Sequence, residues 1–239
     1  METDMRRLAA RRLLPQLLYS GGYGMKKALF ATAAVALAAS AVGLGAMQAG
    51  HAAAPAAAAA YTGKHVDNFQ LTDHTLMAYD LYYYKYTPAV VIMSRTNNSA
   101  YSKTATDALQ QVAASYKDKG VLFLMLDSNK ADSRAAIAAE AAKQGVTLPI
   151  LVDEEQLVGE QLGVKQDGEV FVLDPKTWTV AYHGPVDGAN KAHVTAAIDS
   201  VSAGKPVQTA FVEVKGGKSI AFPEKSADFS KISYAKQIA

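Results

Sequence analysis

From Val66 onward the chain switches between a two-residue rhythm and a helical one. Val66-Asp67-Asn68-Phe69-Gln70-Leu71 alternates apolar and polar positions, the pattern of a half-buried strand. Leu76 to Tyr86 carries five tyrosines and predicts an extended or hairpin segment. Behind Pro88, Ala89-Val90-Val91-Ile92-Met93 is continuously apolar, as a strand covered on both faces is. Ser99 to Lys119 places Ala105, Leu109, Val112, Ala113 and Tyr116 on one helical face, and Gly120 supplies the stop. Val121 to Leu126 is a second buried strand. Asp132 or Ser133 can cap a helix that runs to Lys143 and ends at Gly145.

Leu148 to Val152 is a short strand, and Pro149 within it predicts an edge or strand-start position. After Asp153 comes a short helix from Glu155 to Leu162. Glu169 to Leu173 and Trp178 to His183 form hairpin partners around the turn Asp174-Pro175-Lys176-Thr177. Asn190 to Ala203 is the last amphipathic helix, closed by Gly204. The residues from Lys205 are polar and Gly-containing, with one candidate strand at Phe211 to Val214. Strand–helix–strand–helix order requires right-handed parallel crossovers. The late hairpin makes the sheet mixed, so the expected architecture is an α/β three-layer sandwich.

Charge and targeting change the picture at the N-terminus. The chain has 239 residues, 24 Lys+Arg, 22 Asp+Glu and a formal net charge of +2. Six of the basic groups and two of the acidic ones lie in residues 1–52, which leaves 18 basic against 20 acidic in the remainder. A near-neutral body argues against a nucleic-acid partner. Met25-Lys26-Lys27 opens an Ala-rich apolar run to Ala49, followed by Gly50-His51-Ala52. Basic start, apolar run and small-residue exit make a secretory signal peptide with Met25 as its start. Thr32, Ser40 and the glycines of the run weaken the competing reading as a retained anchor. The expected organisation is an extension and signal peptide over 1–52, an Ala-rich linker over 53–65, a folded domain over 66–204 and a C-terminal extension over 205–239. An exported bacterial protein, periplasmic or extracellular and without a membrane span after cleavage, follows.

Several motifs then hold in order and spacing across 66–204. They are Phe69-Gln70-Leu71-Thr72-Asp73, Ala89 to Met93, Gly120-Val121-Leu122-Phe123-Leu124 through Asp127-Ser128-Asn129, Ile150-Leu151-Val152-Asp153 and Leu162-Gly163-Val164. Glu169 to Pro175 and Tyr182-His183-Gly184 complete the set. Together they resemble the redoxin branch of the thioredoxin fold, the peroxiredoxin and alkyl hydroperoxide reductase–thiol-specific antioxidant relatives. The chain is especially similar to secreted bacterial redoxin domains, some of which are fused to a cytochrome c module; no haem motif follows here. The resemblance implies a thioredoxin-like sandwich and a reactive cysteine at the N-terminus of the helix after the first buried strand. There a helix dipole favours the thiolate.

This chain has no cysteine. The corresponding loop is Thr96, Asn97, Asn98, Ser99, Ala100 and onward to Lys103, with Ser99 at the cysteine's place within one residue. A serine hydroxyl is not oxidised to a sulfenic acid and does not exchange disulfides. Gly168 stands at the family's cis-proline position, which shapes the wall for a disulfide substrate. The resemblance therefore implies a former active site, with no catalytic residue and no cofactor. Ser99 as a nucleophile would need a positioned base, and no histidine is near it in sequence, so a helix cap is the expected role. His65, His74, His183 and His193 with Met93 or Met125 make a poor metal set without cysteine sulfur. Asp153-Glu154-Glu155 is expected as favourable charge at a helix start. Tyr79, Tyr82, Tyr83, Tyr84 and Tyr86 are a candidate interaction surface, with Tyr82, Tyr84 and Tyr86 sharing a face if the segment is a strand. The expectation is a non-catalytic binding or scaffolding protein of the cell envelope with a protein partner. The alternatives are a redox role exercised through a partner's thiols, and a metal or small-ligand binder.

Overall fold

A computed structural model describes residues 61–223. The expectations for the signal peptide, for most of the Ala-rich linker and for the last residues of the chain lie outside that span. The elements are β1 (Gln70–Thr72), β2 (Ala78–Asp80), a 3-10 turn (Leu81–Tyr84), β3 (Val90–Arg95), α1 (Ala100–Ser115), β4 (Leu122–Asp127), α2 (Arg134–Gln144), β5 (Ile150–Val152), α3 (Leu157–Leu162), β6 (Val170–Asp174), β7 (Thr179–Gly184), a second 3-10 turn (Gly188–Asn190) and α4 (Lys191–Ser202). Five strands form one sheet in the order β5-β4-β3-β6-β7. β3, β4 and β5 run parallel; β6 and β7 run antiparallel. This is the mixed α/β sheet of the thioredoxin-like fold. Among the described residues no helix is long and apolar enough to cross a membrane.

The period of two in the central strands explains the layers. Val91 and Met93 of β3 point to a core shared with Leu109 and Val112 of α1, Ile137 of α2, and Val194 and Ile198 of α4. Val90 and Ile92 point the other way, to Leu124, Phe171, Val158 and Leu162 of α3, and Leu81. Both faces being covered, β3 is buried at all six residues: Val90 to Met93 as their unbroken apolar run predicts, and the polar Ser94 and Arg95 with them. Each large apolar side chain so buried contributes about 1.5–3 kcal/mol. Tyr61 and Ile220 belong to the second core, so the packed body extends beyond 66–204 at both ends.

Local signals hold where they are strong. Ser133 caps α2 by accepting from Ala136 N–H, and Gly145 ends it. β5 starts directly after Pro149 and lies at the sheet edge. Buried Asp153 accepts N–H bonds from Val158 (3.3 Å) and Gly159 (2.8 Å), holding the first turn of α3. Three expectations change. The strand at 66–71 moves to Gln70–Thr72 and pairs with β2. The candidate strand at 211–214 reduces to a single bridge between Phe211 and His183. The tyrosine segment is a 3-10 turn after β2, because Leu81 enters the core while Tyr82 stacks on Trp178 with ring centroids 4.7 Å apart. Strand alternation would send those two neighbours to opposite faces.

Candidate functional site

β3 and β4 end side by side, with Arg95 in register with Asp127. Both are buried, Arg95 at 1% exposure and Asp127 at 2%. Arg95 lies 4.0 Å from the Asp127 carboxylate and 3.6 Å from Glu140 of α2, and its Nη2 donates to Asn97 Oδ1 at 2.9 Å. Among the described residues its Nε and Nη1, and Asp127 Oδ2, have no hydrogen-bond partner. Burial raises the Asp127 carboxyl to about 7; the Arg95 charge and the Asn129 N–H pull it down, while Asp132 and Glu140 push it up.

The loop after β3 is clamped by carboxylates from across the site. Asp132 accepts from Thr96 Oγ1 (2.7 Å), Asn97 N–H (2.8 Å) and Asn129 Nδ2 (3.0 Å). Glu140 accepts Asn98 N–H at 2.9 Å, with Asn98 in the left-handed region at φ 56°. Thr96 and Asn97 are thereby buried and cannot act on a solute, whereas Asn98, Ala100 and Lys103 are exposed. Lys103 is paired within its own helix to Asp107 at 2.7 Å. Ser99, half-buried, is the cap of α1: its hydroxyl accepts Ser102 N–H at 3.1 Å. Among the described residues no imidazole or carboxylate is hydrogen-bonded to it, so no base is positioned to activate it. Ser99, Asn98 and Lys103 face Ala136, Ala139 and Glu140 across an open groove of about 840 Å³ between α1 and α2.

Gly168 meets this site through a residue that the sequence did not single out. Its N–H donates to Ser94 O at 2.8 Å, which ties the 165–168 loop to β3. At φ +76° it sits where only glycine is relaxed, and a Cβ there would lie 2.3 Å from the ring of Tyr101. Tyr101, two residues past the Ser99 cap, therefore fills the space that a proline at 168 would need. Burial, and behind it the charges of Asp187, Asp167 and Glu169, pushes its hydroxyl up to about 12. Arg95, Asp127 and Asp132 also went unremarked as site residues. The signal for Arg95 and Asp127 is a charged residue closing each of two apolar strand runs; Asp132 reads in the sequence only as a helix-cap candidate.

The other candidates disperse. Tyr82 donates to Val66 O and is stacked on Trp178, and Tyr79 stacks on Tyr84. Tyr83 and Tyr86, at 80% and 87% exposure, are the members of the cluster open to a partner. His74 accepts Ile150 N–H, while His183 is buried between Tyr61 and Phe171 and lies 3.5 Å from Glu169. Among the described residues no three His, Asp or Glu gather in an arrangement to hold a metal ion. The acidic run splits: Asp153 is buried under α3, and Glu154 and Glu155 border an open groove of about 980 Å³ with Phe69, Leu71 and Leu157.

A five-stranded mixed sheet with a capped helix leaving its central strand, and no thiol in the chain, defines a cysteine-less redoxin of the thioredoxin fold. The family model of the AhpC/TSA family matches residues 62–187, and the chain belongs to that family. Among solved structures it is similar to a hypothetical protein from Sinorhizobium meliloti 1021, at 26% identity and a TM-score of 0.60 over 66% of this chain and 93% of the other. It is likewise similar to an uncharacterized conserved protein from Geobacillus kaustophilus, at 26% identity and a TM-score of 0.59 over 67% and 92%. Peroxidoxin BcpB from Mycobacterium tuberculosis shares the fold at 19% identity and a TM-score of 0.50, over 60% and 97%. No curated protein sequence matches the chain.

Proposed function

We propose that this chain is an exported, non-catalytic redoxin-type protein that works by binding a protein partner in the cell envelope. The observation that carries this is the use of Ser99. In the slot where the resemblance places a reactive thiol, its hydroxyl serves as the cap of α1, with no base beside it among the described residues. Tyr101 packed on Gly168 supports the same conclusion, because the wall that would face a disulfide is filled from within. Export rests on the basic start at Met25 and the small-residue exit at Gly50-His51-Ala52.

Purified protein should consume peroxide and reduce disulfides no faster than buffer in the presence of a thiol reductant. Turnover that disappears in Ser99→Ala would overturn the non-catalytic reading. N-terminal sequencing of native material should begin close to Ala53. An intact Arg6–Arg12 region on a cytosolic protein would overturn export.

A further inference from the structure

The 165–168 loop has an inward and an outward set of polar groups. Its inward groups are already bonded: Lys165 and Gln166 N–H to Glu169 Oε2, Gln166 O to the Ser94 hydroxyl, and Gly168 N–H to Ser94 O. Its outward groups, Lys165 O, Asp167 N–H and the Asp167 carboxylate, face the chain's own C-terminal extension. Ile220 N–H donates to Lys165 O at 2.9 Å, Asp167 N–H to Lys218 O at 3.0 Å, and Lys218 N–H to Asp167 Oδ1 at 2.8 Å. Gln166 and Ser219 form the antiparallel bridge between them.

Side-chain contacts also fit the extension to this loop. Gly217 lies against the loop so closely that a Cβ would meet Asp167 O at 2.5 Å. Lys218 Nζ reaches Asn97 O at 3.4 Å, joining the extension to the loop before Ser99. Ile220 is an apolar anchor in the second core, and Val214 is buried with its carbonyl accepting from Gln166 Nε2. Between and around these anchors Lys215, Gly216, Lys218, Ser219 and Ala221 are exposed. The fit is also incomplete: Asp167 is buried at 0% exposure, yet among the described residues its Oδ2 has no partner. A buried acceptor left unpaired is a standing cost that a better-matched segment would relieve.

We propose that the 165–168 loop is a docking edge for an extended polypeptide segment, and that residues 214–222 are its resident occupant. In this role a partner protein displaces the resident strap by strand addition. The segment it offers has the strap's chemistry: two small residues, a basic residue, then an aliphatic residue two positions on, as in Gly216-Gly217-Lys218-Ser219-Ile220. This rests on the binding reading above and names its site and the kind of partner it takes.

The test uses the full chain and a fluorescent peptide of residues 213–223. In wild-type protein the resident strap competes at high effective concentration, so the peptide should bind weakly. Gly217→Val forces a side chain onto the Asp167 carbonyl and should release the strap, tightening peptide binding by about tenfold or more. Hydrogen exchange should then speed up at Asp167 and Ile220 while the amides of β3 and β4 stay protected. A peptide carrying the same Gly217→Val change should not bind. If Gly217→Val loses protection in β3 and β4, Lys218→Pro is read in its place, since it deletes the N–H given to Asp167. Equal peptide affinity for wild type and the strap-released variant would overturn the proposal, and so would stable dimers formed by strap exchange. Peroxide turnover is measured independently, so this proposal and the non-catalytic reading fail separately.

Discussion

β3 and β4 have two different ends. Through their bodies, Val90 to Met93 and Leu122 to Met125, they carry apolar side chains packed on both faces of the sheet. At their carboxyl ends the same strands carry Arg95 and Asp127, equally buried but in an ion pair that leaves polar atoms unsatisfied. The body stabilises. The charged end is costly to desolvate, and an apolar replacement would serve stability as well. Its geometric effect is to hold the 96–99 loop, because Arg95 and Glu140 fix Asn97 and Asn98 in front of the α1 cap. The difference teaches that the site end remains ordered although the thiol chemistry is absent.

The strongest way to break this comparison is Arg95→Met. It strands Asp127 and Glu140 without their cation and should cost about 3–5 kcal/mol in denaturant unfolding at pH 8. Arg95→Met with Asp127→Leu should recover most of that loss, which would mark the pair as organising rather than stabilising. Leu124→Ala, in the body, should cost about 2–5 kcal/mol. No second substitution at the charged end should rescue it, because the two regions are energetically separate.

A smaller effect separates the ends by pH. The folded-state carboxyl of Asp127, raised to about 7, lies above its unfolded value near 4. Between those values the folded state holds a proton that the unfolded state has lost. The contribution of Asp127 to stability is therefore fully present below about pH 4 and is lost as pH rises to about 7. The stability difference between wild type and Asp127→Asn should shift against wild type by about 1–3 kcal/mol from pH 5 to pH 8. A flat difference would mean that Asp127 is ionised throughout. Smallest is Ser99→Ala, which removes one cap bond and should cost about 1 kcal/mol, with the fold intact by circular dichroism.

The body of this molecule was legible because its signals are local and repeated. The apolar run behind Pro88, the caps at Ser99 and Ser133, and the turn before Trp178 each specify an element without help from distant residues. The tyrosine segment was not legible, since its conformation depends on Trp178, nearly a hundred positions away. The site was half legible. The missing cysteine and the glycine at 168 stand in the sequence, but that Tyr101 occupies the space over Gly168 is a matter of packing. The strap at 214–222 reads only as a polar extension. Its pairing with 165–167 comes from two backbone bonds, one bond from Lys218 N–H to the Asp167 carboxylate and two anchors that no periodicity announces.

Ser99→Cys tests most directly whether this is the family's site with its chemistry gone. The alkylation rate of the introduced thiol should report a pKa below the reference of about 8.5, because it stands at the positive end of α1. Peroxide turnover with a thiol reductant should nevertheless stay at the buffer level, since Tyr101 on Gly168 and the strap beside it close the substrate side. A thiol titrating at or above the reference value would show that Ser99 is not the nucleophile's position. Sustained peroxide turnover by Ser99→Cys would show that only the sulfur was missing.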